Sequence, residues 1–324
     1  MRRSRLLMLC LLAALGSLAV GPAAAQGWPA KPIVMVVPFP PGPLDLLARL
    51  VGNKLGEALG QTVVVENRSG ANGTIGSSMV ARAAPDGTTL LAATAGTHVT
   101  AVHLMKNLPY DPLKDFTPLI AAVEPVTCLA VNRDLPVNSV EELIAYAKAR
   151  PDELSFGSSG VGSVFQMMGE LFNQTAGVRI KHVPYRGVAP AMQDVIAGHI
   201  PMVFISVANA LPAAQGGNVK ILAVLEPARY SRLAQIRSMS EIIPAFRKPS
   251  SWFGFLGPPA MPREIVTRLN SEMGKALNAP DVAGKLEDNG MAVIGGTPDE
   301  FAALMRDGIE RYGAIIKAAG IQAE

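Results

Sequence analysis

The sequence predicts an α/β fold, on three observations. Short β-branched runs alternate with longer amphipathic ones, helix starts carry explicit capping residues, and no long linker, repeat or low-complexity stretch interrupts the pattern. Such alternation marks βα units, so each sheet is expected to be mainly parallel with helices on its faces. In chain order, strands are expected at Ile33 to Val37, Thr62 to Glu66, Thr89 to Ala93, Ile180 to Val183, Met202 to Ile205 and Lys220 to Val224. A first helix follows from Leu46 to Leu59, with Asp45 placed either to cap it or to face a ligand. Ser139-Val-Glu-Glu142 reads as a capping box, and Thr297-Pro-Asp-Glu300 repeats the device with proline at the first helical position. The segment from Pro298 to Ala319 is therefore expected to be a helix packed on a domain. The apolar run from Leu119 to Asn132 is broken at Glu124-Pro125, as when the chain leaves one sheet for another, and a return crossing is expected between Phe246 and Trp252. These crossings divide the chain into one lobe of residues 26–124 plus 248–324 and a second of residues 125–247.

Residues 1–25 read as a cleavable secretory leader. Arg2, Arg3 and Arg5 form a basic start, Leu6 to Val20 an apolar stretch, and Ala23 to Ala25 a small-residue site, with cleavage expected between Ala25 and Gln26. The apolar stretch is short for a span of roughly 20 residues. Removing the leader takes three arginines and no acids, so the formal charge falls from +3 to zero. With no basic excess, a nucleic-acid partner has no electrostatic basis. Nothing after residue 25 is apolar for long enough to insert stably in a membrane. Only Cys128 remains, so the mature chain is expected to hold no internal disulfide.

Two loops stand out. The first, Pro38-Phe-Pro-Pro-Gly-Pro-Leu-Asp45, follows the first strand, at the end of an α/β sheet where ligands bind and helix N-termini offer N–H groups to anions. The second, Ser155-Phe-Gly-Ser-Ser-Gly-Val-Gly-Ser163, joins a short strand to a helix beginning near Val164. Its glycines allow close backbone approach and its serines add hydroxyls, so it could bind a small anion with uncharged donors alone. The spacing from Gly157 to Gly162 suits a phosphate loop, but Ser163-Val164 replaces the required lysine and hydroxyl residue; Phe165 likewise breaks a dinucleotide fingerprint. No serine sits in G-x-S-x-G. His98 and His103 are poorly spaced for one helix face, and no Cys or carboxylate cluster joins them, so no metal is expected. His182 falls within a strand, where a satisfied, partly buried ring is the simplest role.

The combination of Trp28-Pro-Ala-Lys-Pro-Ile33, Pro38-Phe-Pro-Pro-Gly42, Val64-Val-Glu-Asn-Arg68, Ala84-Pro-Asp-Gly87, Leu108-Pro-Tyr-Asp-Pro112, Gly157-Ser-Ser-Gly160, His182-Val-Pro-Tyr-Arg-Gly187 and Ser251-Trp-Phe-Gly254 resembles the Bug family. These are the periplasmic solute-binding proteins of tripartite tricarboxylate transporters. The resemblance runs in order over the whole mature chain. It implies a two-lobed periplasmic-binding-protein fold, a cleft holding a small carboxylate ligand, integral-membrane transporter subunits as partners, a monomer, a periplasmic location and no cofactor. Ligand contacts are then expected from Phe39, Pro41, Gly42 and Asp45, from Thr94 and Gly96 after the third strand, and from Ser158, Ser159, Gly160, Gly162, Ser163 and Gln166. Phe204 is expected as an apolar wall and Ser206 as a further contact.

Three positions depart from the family pattern. Pro41-Gly42-Pro43-Leu44-Asp45 is one residue shorter than the usual loop and lacks its second glycine, so Pro43 withdraws an N–H donor. Ser206 stands where an acid often does, which argues against an amino-acid ligand, and Gln166 replaces a titratable histidine. Two rival readings carry other functions. An exported enzyme lacks a set of nucleophile, base and orienting group, whereas a sensor presenting its closed form to a membrane kinase would share this sequence pattern.

Overall fold

The computed structural model describes residues 27–323, so the expected leader lies outside the described residues. The strands are β1 (Ile33–Val37), β2 (Val63–Asn67), β3 (Thr89–Thr94), β4 (Thr117–Pro125), β5 (Thr127–Asn132), β6 (Ser155–Ser158), β7 (Lys181–Pro184), β8 (Met202–Ser206), β9 (Val219–Val224), β10 (Phe253–Gly257) and β11 (Met291–Gly295). The helices are α1 (Pro43–Leu59), α2 (Thr74–Ala81), α3 (Ala101–Leu104), α4 (Val140–Ala149), α5 (Val164–Ala176), α6 (Val188–Ala197), α7 (Val207–Gln215), α8 (Met239–Ile242), α9 (Arg263–Asn278), α10 (Pro280–Asp288) and α11 (Pro298–Ala318).

The strands form two sheets, ordered β11-β4-β10-β3-β1-β2 and β7-β6-β8-β5-β9. The βα units supply parallel neighbours, β2-β1-β3 in the first sheet and β7-β6-β8 in the second. The strands adjoining the crossings pair antiparallel: β10 with β3 and β4, β11 with β4, and β5 with β8 and β9. Both sheets are thus mixed where mainly parallel ones were expected. β5 enters the second sheet directly from β4 of the first, and β10 re-enters the first from the second, so neither strand is brought in by a crossover helix within its own sheet.

Local chemistry explains the elements nearest the site. β1, IVMVV, is buried on both faces, as a strand covered by helices must be. Pro43 occupies the first turn of α1, where its missing N–H costs nothing, and Gly60 closes the helix in the left-handed region. The buried stripe Leu44, Leu47, Ala48, Val51 and Leu55 faces the sheet, and each fully buried large side chain contributes roughly 1.5–3 kcal/mol. The helix starts three residues before its expected position. Gly42 is therefore the N-cap and Asp45 lies inside the first turn. At α4, Ser139 Oγ accepts from Glu142 N, but the Glu142 carboxylate accepts from Asn138 N, so the expected box is completed one residue early. The reciprocal pair at Thr297 and Glu300 is complete, and a further box forms at Ser238 and Glu241.

Where the chain passes between the sheets, Lys248 is held with 1% of its side chain exposed. Its ammonium binds the Glu124 carboxylate, donates to Ser251 Oγ at 3.1 Å and lies 3.3 Å from Glu226. Glu124 also accepts from Ser250 Oγ and Ser251 N at 3.0 and 2.9 Å, while Glu226 accepts from both the amide and hydroxyl of Thr127 at 2.9 Å. Burial pushes Glu124 up, yet Lys248 and the serine donors outweigh it and hold its carboxyl below the usual range. For Glu226 burial wins and the pKa rises. Both crossing segments are thereby tied to one buried cation. The last helix, α11, also joins the halves: Tyr312 donates to Pro249 O at 3.3 Å, and Gln174 of α5 donates to Ile315 O at 3.4 Å.

Candidate functional site

Because β1, β2 and β3 run parallel and adjacent, the loops leaving their carboxyl ends meet at one edge of the first sheet. The β1 loop is tied down by Asn67 at the end of β2, whose side-chain amide donates to Phe39 O at 3.0 Å, and by Arg68 N, which donates to Val37 O at 2.8 Å. Gly73 fits between Phe39 and Thr97; a Cβ there would lie 3.0 Å from Phe39 Cζ and 2.7 Å from Thr97 Cγ2. Phe39 and Thr97 thus approach one another across Gly73, and Thr94 and Gly96 belong to the same turn as Thr97. Pro41 and Gly42 are exposed and Phe39 is partly so. Thr94 Oγ1 accepts from Thr97 N at 3.2 Å and tightens the turn that precedes α3.

Asp45 is placed otherwise. Its carboxylate makes two hydrogen bonds with the Arg49 guanidinium, at 2.9 and 3.0 Å, one helical turn on. The Arg49 hydrogen bond holds its pKa below the ordinary carboxylate range. The side chain is engaged with its own helix and does not cap it.

In the second sheet, β6 ends at Ser158 and α5 begins at Val164, with Ser163 as N-cap accepting from Gln166 N at 3.2 Å. Ser158 Oγ accepts from Gly160 N at 3.1 Å, and Gln166 Oε1 accepts from Gly162 N at 2.7 Å. Gly160 and Gly162 adopt φ of 130° and 76°, a region that side chains disfavour, so glycine is required at both. The loop is pre-shaped by its own residues. As the first two residues of α5, Val164 and Phe165 have N–H groups with no partner inside the helix, at its positive dipole end. Gln166 is buried and holds the loop.

The second loop is touched by an element of the first sheet's side, the short helix α3. Leu104, after the β3 turn, packs directly on Gly162, where a Cβ would come within 2.6 Å of Leu104 Cδ1. Ser206 ends β8 beside β6 and accepts from Asn209 Nδ2 at 2.6 Å. Phe204 is corrected: it is fully buried, edge-on to Phe156 and tilted against Phe172, and so belongs to the core behind the site instead of its wall. His98 lies among Tyr110, Phe116 and Trp252, bonded through Nδ1 to Thr97 Oγ1 at 2.8 Å, and burial drives its pKa down to about 3. A surface groove elsewhere, between α7 and β9, is lined by Leu211, Lys220, Ile221 and Arg232. Its cations are already engaged, Lys220 by Leu135 O and Arg232 by Glu287 and Asp288.

Comparison with known proteins fits this arrangement. Residues 47–321 match the profile described as tripartite tricarboxylate transporter family receptor. The protein BugT of Bordetella pertussis is 33% identical over 302 residues, covering 92% of each chain. Among solved structures, R. palustris Rpa4515 with adipate is 36% identical with a TM-score of 0.81, over 92% of this chain and all of that one. MatC from Rhodopseudomonas palustris with bound malate is 33% identical with a TM-score of 0.75, over 89% of this chain and all of that one. With the two-lobed α/β fold, the paired loops and a match over most of its length, this chain belongs to the tripartite tricarboxylate transporter receptor family.

Proposed function

We propose that the protein is a periplasmic receptor that captures a small carboxylate between two lobes and passes it to the integral-membrane subunits of a tripartite tricarboxylate-type transporter. The observation that carries this reading is the pre-shaped loop from Ser158 to Ser163, packed on the end of α3 by the contact of Leu104 on Gly162. It offers backbone N–H groups, hydroxyls and a helix start to an anion without a cationic side chain. Adipate and malate, bound by the two related proteins, are both dicarboxylates. One carboxylate is held by Ser159, Gly160, Gly162 and Ser163, with Phe39, Pro41, Gly42, Thr94 and Gly96 closing over the remainder. Ser158 and Gln166 shape the loop, and Ser206 borders it. The lobes comprise residues 26–124 plus 248–324 and residues 125–247, and the leader directs export. No helix among the described residues is long and apolar enough to cross a membrane. The protein binds its ligand without turning it over and acts as a monomer.

Closure of the lobes removes water from the carboxylate and its donors, which strengthens each contact and couples binding to hinge motion. A thermal-shift screen of the refolded, ligand-free chain against aliphatic, aromatic and amino-acid carboxylates tests the reading. A ligand at about 100 times its dissociation constant should stabilise by roughly 2.7 kcal/mol, raising the melting point by a few degrees. Hits among non-amino dicarboxylates are expected. Silence across the screen would overturn the proposal, and hits confined to amino acids would overturn the inference from Ser206.

A further inference from the structure

β6 and β7 pair in parallel, with His182 opposite Phe156. Alternate residues of a strand share a face, so Phe156 and Ser158 project on the side where His182 stands. The His182 ring lies 5.1 Å from that of Phe156, and its Nε2 reaches Ser158 Oγ at 2.6 Å. The same hydroxyl accepts from Gly160 N at 3.1 Å and lies 3.0 Å from Gly160 O.

The protons of this cluster can be counted. Gly160 N–H can only donate and Gly160 O can only accept, so the single hydroxyl hydrogen of Ser158 is sought by Gly160 O and by any unprotonated Nε2. If Nε2 were bare, one of these contacts would set lone pair against lone pair. If Nε2 carries the hydrogen, it donates to Ser158 Oγ, the hydroxyl donates to Gly160 O, and all three contacts are satisfied. Burial lowers the pKa of His182 to about 4, so the ring is neutral near pH 7 and its one proton has a defined place.

We propose that His182 is a positioning residue for ligand capture: its Nε2–H fixes the Ser158 hydroxyl, and through it both backbone polar groups of Gly160 in the loop that receives the carboxylate. His182 does not itself touch the ligand. The loop bends at Gly160, whose φ is 130°, and this relay selects that bend before ligand arrives. Tyr185, three residues beyond His182, donates its N–H to Ser158 O at 3.2 Å and secures the strand end beneath. The inference rests on the loop being the carboxylate site.

Two measurements test it. Nitrogen-15 NMR of the histidine side chains, with His182 assigned by its loss in His182→Gln, should show a neutral ring protonated at Nε2 from pH 5 to 8. A ring protonated at Nδ1, or one exchanging between tautomers, would overturn the relay. Titration with adipate should show His182→Phe about tenfold weaker than wild type, the equivalent of one hydrogen bond, at unchanged ligand-free melting temperature. His182→Gln, which keeps an N–H at similar reach, should stay within about threefold. A purely structural role would make both variants fall together with stability, and equal affinity in all three proteins would remove His182 from ligand capture. If the wild type bound neither adipate nor malate nor any other acid of the thermal screen, the proposed function would fail and with it the role of His182 in ligand capture. Failure of the His182 variants to differ in a protein that does bind would overturn the relay alone.

Discussion

Between Pro38 and Pro43, four of six residues carry no backbone N–H; between Ser158 and Ser163, all six do. The two loops leave equivalent ends of parallel strands, yet they are made of opposite materials. The first is stiff, exposed and poor in donors, and its own carboxylate, Asp45, is locked to Arg49. The second is rich in donors and organised by Ser158, Gln166 and the Ser163 cap. The contrast teaches a division of labour within the proposed function: the second lobe is built to hold charge, and the first to supply shape and closure. The loss of a glycine in the first loop is tolerable because the anion's partners lie opposite.

The comparison can be broken or sharpened by substitution. The largest effect is expected where the lobes join, at a site that should alter neither loop. Lys248→Met leaves Glu124 and Glu226 buried without their cation and should lower stability by about 3–5 kcal/mol in denaturant melts, with the loops' relative importance unchanged. Gly160→Val places a β-branched residue at φ 130° with its Cβ 3.3 Å from Tyr185 O. Calorimetry should show affinity reduced by about 100-fold or more, with far-UV circular dichroism retained. An equal loss from Gly42→Val, where a Cβ has room and φ is extended, would erase the distinction between the loops.

Smaller effects follow in the first lobe. Asp45→Asn should cost about 0.5–1 kcal/mol of stability and leave affinity within about threefold, since Arg49 is half exposed and the pair is partly screened. The Asp45 pKa is depressed in the folded protein, so this contribution is present at neutral pH and is lost as pH falls below about 4. Wild type and Asp45→Asn should therefore converge in stability in acid. A tenfold loss of affinity in the variant would return Asp45 to the site. The smallest effect is expected from Pro43→Gly, which restores one N–H and should tighten binding by no more than about tenfold, at a stability cost near 0.5–1 kcal/mol from added chain freedom.

Much of this was legible in the sequence because it rests on local chemistry. β1 is β-branched at four of five positions, and the Ser163 cap and Thr297 box announce their helices within three residues. The glycine-serine loop was legible for the same reason. Asp45 was misread as a cap because the helix was started at Leu46, although Pro43 is a favoured first residue that makes Asp45 and Arg49 a one-turn pair. Phe204 was misread because β8 is buried over four successive residues, so no alternation reveals which face meets the cleft. The His182 to Ser158 contact depends on strand register across 24 residues, and the Lys248 cluster joins residues more than 100 apart. Neither leaves a local pattern.

The most direct measurement is a crystal structure of the ligand-stripped protein with adipate or the strongest hit of the thermal screen. A carboxylate within about 2.7–3.2 Å of several donors between Ser159 and Phe165, with the opposite end of the ligand against Phe39 and Gly42, is the predicted result. A carboxylate held by the Phe39 to Asp45 segment alone, or a ligand seated in the groove between α7 and β9, would contradict the account.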